Sequence, residues 1–245
     1  MIRFDACLAE LTVAVACGFA ATGEYCRDYP APELSVPDLT LELTAADILR
    51  ERSFLRGDEP AANTTDPALE RLALLRALGE RFPAYDRVLF HGSCLAYEGR
   101  AILFTAKSGT GKSTHTRLWR ECFGAQVEMI NDDKPFLRIT EEGVTAYGNP
   151  WLGKHRLGGN IQAPLGAVCL VCRAGENRLE RLTLRQALPA LLSQIYAPAD
   201  PGAMAKTLAL AHRLAETVAV YRLHCNMDPQ AAYVARDGLR EDGCL

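Results

Sequence analysis

Residues 106–114 read Ala106-Lys-Ser-Gly-Thr-Gly-Lys-Ser-Thr114 and follow the pattern GxxxxGKS/T, with alanine in place of its first glycine. The chemistry this pattern performs is the binding of a phosphate chain. Gly109 and Gly111 have no Cβ, so the backbone from Ser108 through Thr110 can curl until successive N–H groups converge on phosphate oxygens. A helix starting near Ser113 and Thr114 adds its positive N-terminal partial charge. Lys112 can reach the β- and γ-phosphates, and the Ser113 hydroxyl can ligate Mg²⁺. The alanine at 106 adds one methyl group, which the first turn accommodates provided its φ stays in the range open to an L-residue.

One helix and one strand later comes Asn131-Asp132-Asp133. Two carboxylates facing a triphosphate can divide two tasks, one ligating Mg²⁺ and the other accepting the proton of an attacking hydroxyl. Adjacent side chains on a regular strand point to opposite faces, so a shared site requires the strand to end or bend at Asp132.

These groups need elements to position them. Residues 101–105 are an apolar strand feeding the loop, residues 113–123 a helix closed by Gly124, and residues 126–130 a strand delivering the aspartates. Residues 88–90 and 94–97 read as strands on either side of His91-Gly92-Ser93, and residues 135–139 and 144–147 as a hairpin about Glu141-Glu142-Gly143. Residues 167–172 and 218–223 are further strands. Thr183 with Gln186 forms a capping box, while Asp200-Pro201 and Asp228-Pro229 mark two more helix starts. Before residue 86, residues 2–4, 11–16 and 39–43 predict short strands. Residues 56–63 predict a polar loop, and Asp66-Pro67 caps a helix whose inward face is Leu69, Leu72, Leu75, Leu78 and Phe82. The expected architecture is one α/β domain over 1–245, with a β-rich portion to residue 85 and a phosphate-loop core from 86 to 245.

Acidic side chains exceed basic ones by three and no Lys/Arg run stands out, which argues against a nucleic-acid footprint. No apolar stretch approaches the roughly 18 residues of a spanning helix, so no membrane partner is expected. Asp5 and Glu10 precede the apolar segment 11–21 and no basic n-region is present, so it reads as a strand, not a leader. Nine cysteines without regular spacing suit a reducing, cytoplasmic setting. Cys169 and Cys172 form a lone CxxC with no second ligand pair nearby, so a buried strand is expected there rather than zinc.

Three motifs stand in order: Leu89-Phe90-His91-Gly92 with a strand pair after it, the loop from Ser108 to Ser113, and Asn131-Asp-Asp133. In this the chain resembles the catalytic domain of HPr kinase/phosphorylase and the phosphoenolpyruvate carboxykinases that share its nucleotide-binding core. The resemblance covers about residues 86–175. It implies that His91, Asp132 and Asp133 lie around a transferring phosphoryl group. The basic, Gly-rich segment 148–160 is similar in placement to one in the family, where Lys154 and Arg156 would neutralise phosphoryl charge. Residues 1–85 do not resemble the usual N-terminal domain of HPr kinase, which leaves the acceptor open among a peptide, a protein and free serine.

The expected activity is therefore transfer of the γ-phosphoryl group of ATP to a hydroxyl, serine above all, with Mg²⁺. Lys112 and the loop N–H groups hold the phosphates, Ser113 and one aspartate hold the metal, and the other aspartate is the base. The alternatives are a nucleotide-binding regulator without transfer, or a carboxykinase-like enzyme. Oligomeric state is left open, a homo-oligomer included.

Overall fold

The computed structural model describes residues 1–55, 64–106 and 110–245. The expected loop at 56–63 and the loop residues Lys107, Ser108 and Gly109 lie outside the described residues. The fold is mixed α/β and separates into two compact units, Met1–Arg81 and Phe82–Leu245. The change of character expected at residue 85 falls just after this division.

In the first unit β1 (Ile2–Leu8) and β2 (Leu11–Cys17) form an antiparallel hairpin through Ala9 and Glu10, both at positive φ. After α1 (Ala20–Tyr25), β3 (Leu39–Glu42) pairs with β2 in parallel. Two helices complete the unit, α2 (Ala45–Phe54) and α3 (Asp66–Arg81). Glu70 of α3 is 1% exposed, and its carboxylate accepts from the N–H groups of Gly18 and Phe19 and from the Thr22 hydroxyl. A buried carboxylate needs such donors, and here they are the otherwise unpaired groups at the start of α1. The expected inward face of α3 needs a correction. Leu69, Leu75 and Leu78 are buried and Leu74 joins them, but Leu72 is 38% exposed. Small Ala68 and Ala73 and the paired Glu70 occupy the inward stripe, which turns position 72 outward.

The second unit begins with a 3-10 turn at Phe82–Tyr85 and continues through β4 (Arg87–Leu89), β5 (Ser93–Tyr97), β6 (Arg100–Thr105) and α4 (Lys112–Phe123). Then follow β7 (Val127–Asn131), the hairpin β8 (Phe136–Ile139) and β9 (Val144–Tyr147), and the long β10 (Gln162–Arg173). After β11 (Arg178–Arg181) the chain runs through α5 (Leu184–Leu192), α6 (Pro201–Thr217), β12 (Ala219–Cys225) and α7 (Gln230–Glu241).

β10 joins two pairing patterns. Its first residues, Gln162–Pro164, pair antiparallel with β9, whereas Leu165–Leu170 run parallel to β6 on one side and Ala167–Arg173 parallel to β12 on the other. The register shifts between Leu165 and Ala167. Gly166 sits at the shift, where a Cβ would stand 2.2 Å from the Cys244 carbonyl oxygen, so this close approach admits only glycine.

The parallel set β6, β10 and β12 brings three strand carboxyl ends to one edge, where the loop before α4 also lies. Beneath it, Trp119 and Phe123 of α4 pack with Tyr97 and Phe104 in edge-on and tilted ring contacts. As expected of a buried strand, Cys169 is fully buried and Cys172 partly so, and all nine cysteines are free thiols. Gln186 reaches back to the Thr183 N–H, and Asp200 accepts from Ala203 N–H. At the last helix the chain starts one position later than expected. Pro229 takes the cap position and Asp228 accepts from Gln230 N–H. Among the described residues no helix is long and apolar enough to cross a membrane.

Candidate functional site

The loop leaves β6 at Thr105 and re-enters regular structure at Lys112. Ala106, in the place of the first glycine of the pattern, is buried in the aromatic cluster under α4 and keeps a negative φ. Its extra methyl group therefore packs rather than strains. Gly111 takes φ +130° at the helix start, a conformation costly for any residue with a Cβ. The Lys112 ammonium donates to the Ala106 carbonyl across the loop at 3.0 Å, the kind of internal acceptor that a phosphate oxygen can replace. Ser113 is exposed, and Thr110 is fixed by Arg173, whose Nε donates to its carbonyl at 3.0 Å.

Strand β7 ends at Asn131, immediately before the aspartates, which meets the geometric requirement set out above. Asn131 Oδ1 accepts from the N–H groups of Asp133 at 2.8 Å and Lys134 at 2.6 Å, turning the chain sharply. Asn131 is fully buried, and its amide nitrogen donates to Asn149 Oδ1 at 3.1 Å. Such a side-chain-capped turn substitutes for ladder hydrogen bonds and frees the next residues from alternation.

The two carboxylates then diverge in environment. Asp132 is 9% exposed and accepts from Gly153 N–H at 2.6 Å. Asp133 is more open, forms an ion pair with Lys134, and lies 3.7 Å from His91 Nε2. That separation exceeds a hydrogen bond. Burial holds the His91 imidazole below the ordinary histidine value and the Lys112 charge lowers it further, while Asp133 works in the opposite direction. Burial likewise lowers the Lys112 ammonium from its usual value, with Asp133 opposing the fall. These mutual influences put Lys112, His91, Asp133 and Lys134 in one electrostatic cluster, although they come from separate stretches of chain.

His91 is held by backbone contacts on both sides. Its N–H donates to the Gln194 carbonyl at 2.8 Å, its carbonyl accepts from the Thr105 hydroxyl at 2.8 Å, and Gly92 N–H donates to the Asp133 carbonyl at 2.9 Å. A Cβ on Gly92 would meet Leu103 Cδ1 at 2.9 Å, so a side chain there would push this junction apart. Lys154 and Arg156 lie exposed in the turn after Gly153, the residue that Asp132 anchors. The segment carrying them is pressed onto the end of β7, where a Cβ on Gly148 or Gly158 would collide with backbone.

The structure thus places Lys112, His91 and Asp133 together and seats Asp132 at the root of the Gly-rich segment. Sequence reasoning did not single out Lys134, Thr105, Gln194 or Arg173. Gln194 reaches His91 only because Phe90 and Ile195 form an isolated bridge between distant segments, which leaves no local trace. The bend made by Asn131 did have a signal, an Asn directly ahead of the paired acids at a strand end. Two cavities open beside the loop. One of about 660 Å³ is bordered by Thr105, Ala106 and Gln194, and one of about 320 Å³ by Gly111 and His115.

No protein-family model matches the sequence, and no curated protein matches it. Among solved structures the chain is similar to the HPr(Ser) kinase/phosphatase from Coxiella burnetii, with a TM-score of 0.35 and 11% identity, over 63% of this chain and 93% of that one.

Proposed function

We propose that the chain is an ATP-dependent kinase that transfers the γ-phosphoryl group to a hydroxyl, serine in particular, of a peptide, protein or small molecule. The observation that carries this reading is the gathering of Lys112, His91 and Asp133 into one cluster beside the start of α4. The N–H groups of the loop from Ser108 to Thr114, with the Lys112 ammonium, bind the phosphates. Lys154 and Arg156 stand on the segment that Asp132 anchors and add positive charge near the transferring group.

The acceptor oxygen bonds to the γ-phosphorus as the bond from that phosphorus to the β,γ-bridging oxygen breaks. ADP leaves with the bridging oxygen, and the acceptor's proton passes to a carboxylate oxygen of Asp132 or Asp133. Burial holds the His91 imidazole below its ordinary value, which disfavours a further positive charge beside Asp133. The residues present fit Mg²⁺, because Ser113 and one aspartate supply hard oxygen donors and the phosphates supply the rest. When bound, the metal neutralises charge on the β- and γ-phosphates. The larger cavity, bordered by Thr105 and Gln194, gives the acceptor room next to His91.

The test is incubation with γ-labelled ATP, Mg²⁺ and an extract from the protein's own source, followed by mass spectrometry of the labelled product. A labelled serine, absent when Lys112→Ala replaces the wild type, is expected. Tight ATP binding with no labelled acceptor would move the assignment to a nucleotide-binding regulator.

A further inference from the structure

Lys134 directly follows the paired acids, and both polar groups of its backbone are held from inside the protein. Its N–H donates to Asn131 Oδ1 at 2.6 Å, and its carbonyl accepts from Asn149 Nδ2 at 2.5 Å. Asn131 and Asn149 are fully buried, so the point from which the Lys134 side chain projects is fixed. The side chain itself is 39% exposed, and its ammonium forms an ion pair with the Asp133 carboxylate. An ion pair this open to water contributes little to stability. A lysine on a flexible four-carbon stem can exchange such a partner at small cost, because its ammonium keeps contact with water.

The charges around Lys134 favour an anion. Burial is the main cause that lowers the Lys112 ammonium and the His91 imidazole, and the Lys134 charge adds to the fall in both. Lys112 stands at the start of α4 and Lys134 just past the end of β7, so two separate elements bring like charges into one cluster. They share the Asp133 carboxylate, whose single negative charge balances only one of them. Asp132 is turned to Gly153 N–H instead. Holding two cations together is unfavourable, and an anion received by both relieves the repulsion.

We infer that Lys134 is a second phosphate-binding cation, which leaves Asp133 for the terminal phosphoryl group of a bound triphosphate. The inference rests on the phosphate-loop reading proposed above. Lys112, whose ammonium lies on the Ala106 carbonyl, reaches the phosphates from the loop, and Lys134 reaches the terminal group from the side of the paired acids. The exchange also uncovers the Asp133 carboxylate for the part proposed for it. A diphosphate has no terminal group of this kind, so the contact belongs to the triphosphate. A lysine that merely supported Asp133 would serve both nucleotides equally.

The experiment is calorimetry of ADP and of the β,γ-imido analogue of ATP, whose terminal group does not transfer, each with Mg²⁺, on the wild type and on Lys134→Met. Methionine keeps most of the stem and removes the charge. Affinity for the triphosphate analogue should fall at least about tenfold, the scale of one charge-assisted contact, while ADP binding stays unchanged. Lys134→Gln, also uncharged, serves the same purpose should the first variant fail to fold. A triphosphate loss no greater than the diphosphate loss, including no loss at all, would overturn the inference while leaving the phosphate loop standing. Wild-type protein that binds neither nucleotide would overturn both.

Discussion

Asn131 Oδ1 accepts the backbone N–H of Asp133 at 2.8 Å, and this one contact takes the chain out of β7 just where the paired acids begin. The same oxygen holds Lys134 N–H, and the amide nitrogen ties the turn to Asn149. Asn131→Ala leaves two backbone donors and the Asn149 oxygen short of a partner in a buried setting. A loss of about 2–3 kcal/mol in urea unfolding is expected, with phosphoryl transfer falling as Asp132 and Asp133 lose their placement. A loss below about 0.5 kcal/mol would show that the turn does not depend on this side chain.

Lys112→Ala removes a charge whose hydrogen bond among the described residues goes to the Ala106 carbonyl. Circular dichroism and the unfolding midpoint should stay close to wild type, since the freed carbonyl is at a loop. Triphosphate affinity should drop at least tenfold, about 1.4 kcal/mol, the scale of one charge-assisted contact. Unchanged affinity by calorimetry would remove the phosphate-loop reading.

The two aspartates are separable. An Asn at 132 can still accept from Gly153 N–H, and an Asn at 133 loses the ion pair with Lys134 but keeps its backbone contacts, so both variants should fold. If one aspartate is the metal ligand and the other the base, as proposed, loss of the metal ligand should weaken Mg²⁺-dependent triphosphate binding. Loss of the base should leave binding nearly intact, slow transfer by roughly 10²- to 10⁴-fold and abolish the acidic limb of the rate profile. Wild-type transfer rates in both variants would dismiss the pair.

Acid should destabilise the nucleotide-free protein through His115. Burial lowers its pKa from 6.5 to about 4. Between these values the unfolded chain binds a proton that the folded chain refuses, so stability is intact above pH 6.5 and is lost as pH falls toward 4. The single-site contribution is on the order of 3 kcal/mol. Urea midpoints from pH 7 to pH 4, measured in chelator, should fall more steeply for wild type than for His115→Gln. Parallel curves would mean that the imidazole is not sealed from water. Desolvated His91, lowered for the same reason, should add a smaller effect of the same sign.

Much of the site was readable one segment at a time. The Gly-Lys-Ser run, the strand before it and the helix after it are local features, because turn conformations and helix starts depend on neighbours a few residues apart. The acid pair at the end of β7 was readable for the same reason, and so were the hairpin closing through Gly143 and the cap at Asp200. The inward face of α3 was not. Spacing treats Leu72 and Leu74 alike, and only what packs against the helix decides that Leu74 is buried while Leu72 is exposed.

Sequence by itself determined which groups could bind phosphate and metal, since charge, hydroxyl chemistry and glycine's freedom belong to the residues. Tertiary structure alone decided which of them meet. Gln194 supports His91 from a segment a hundred residues away through the Phe90–Ile195 bridge. Arg173 fixes Thr110 because β10 runs parallel to β6, and His115 loses access to water because Phe104 and Trp119 close over it. Each of these contacts requires chain segments distant in sequence to be brought within a few ångströms, and packing rather than local pattern brings them there.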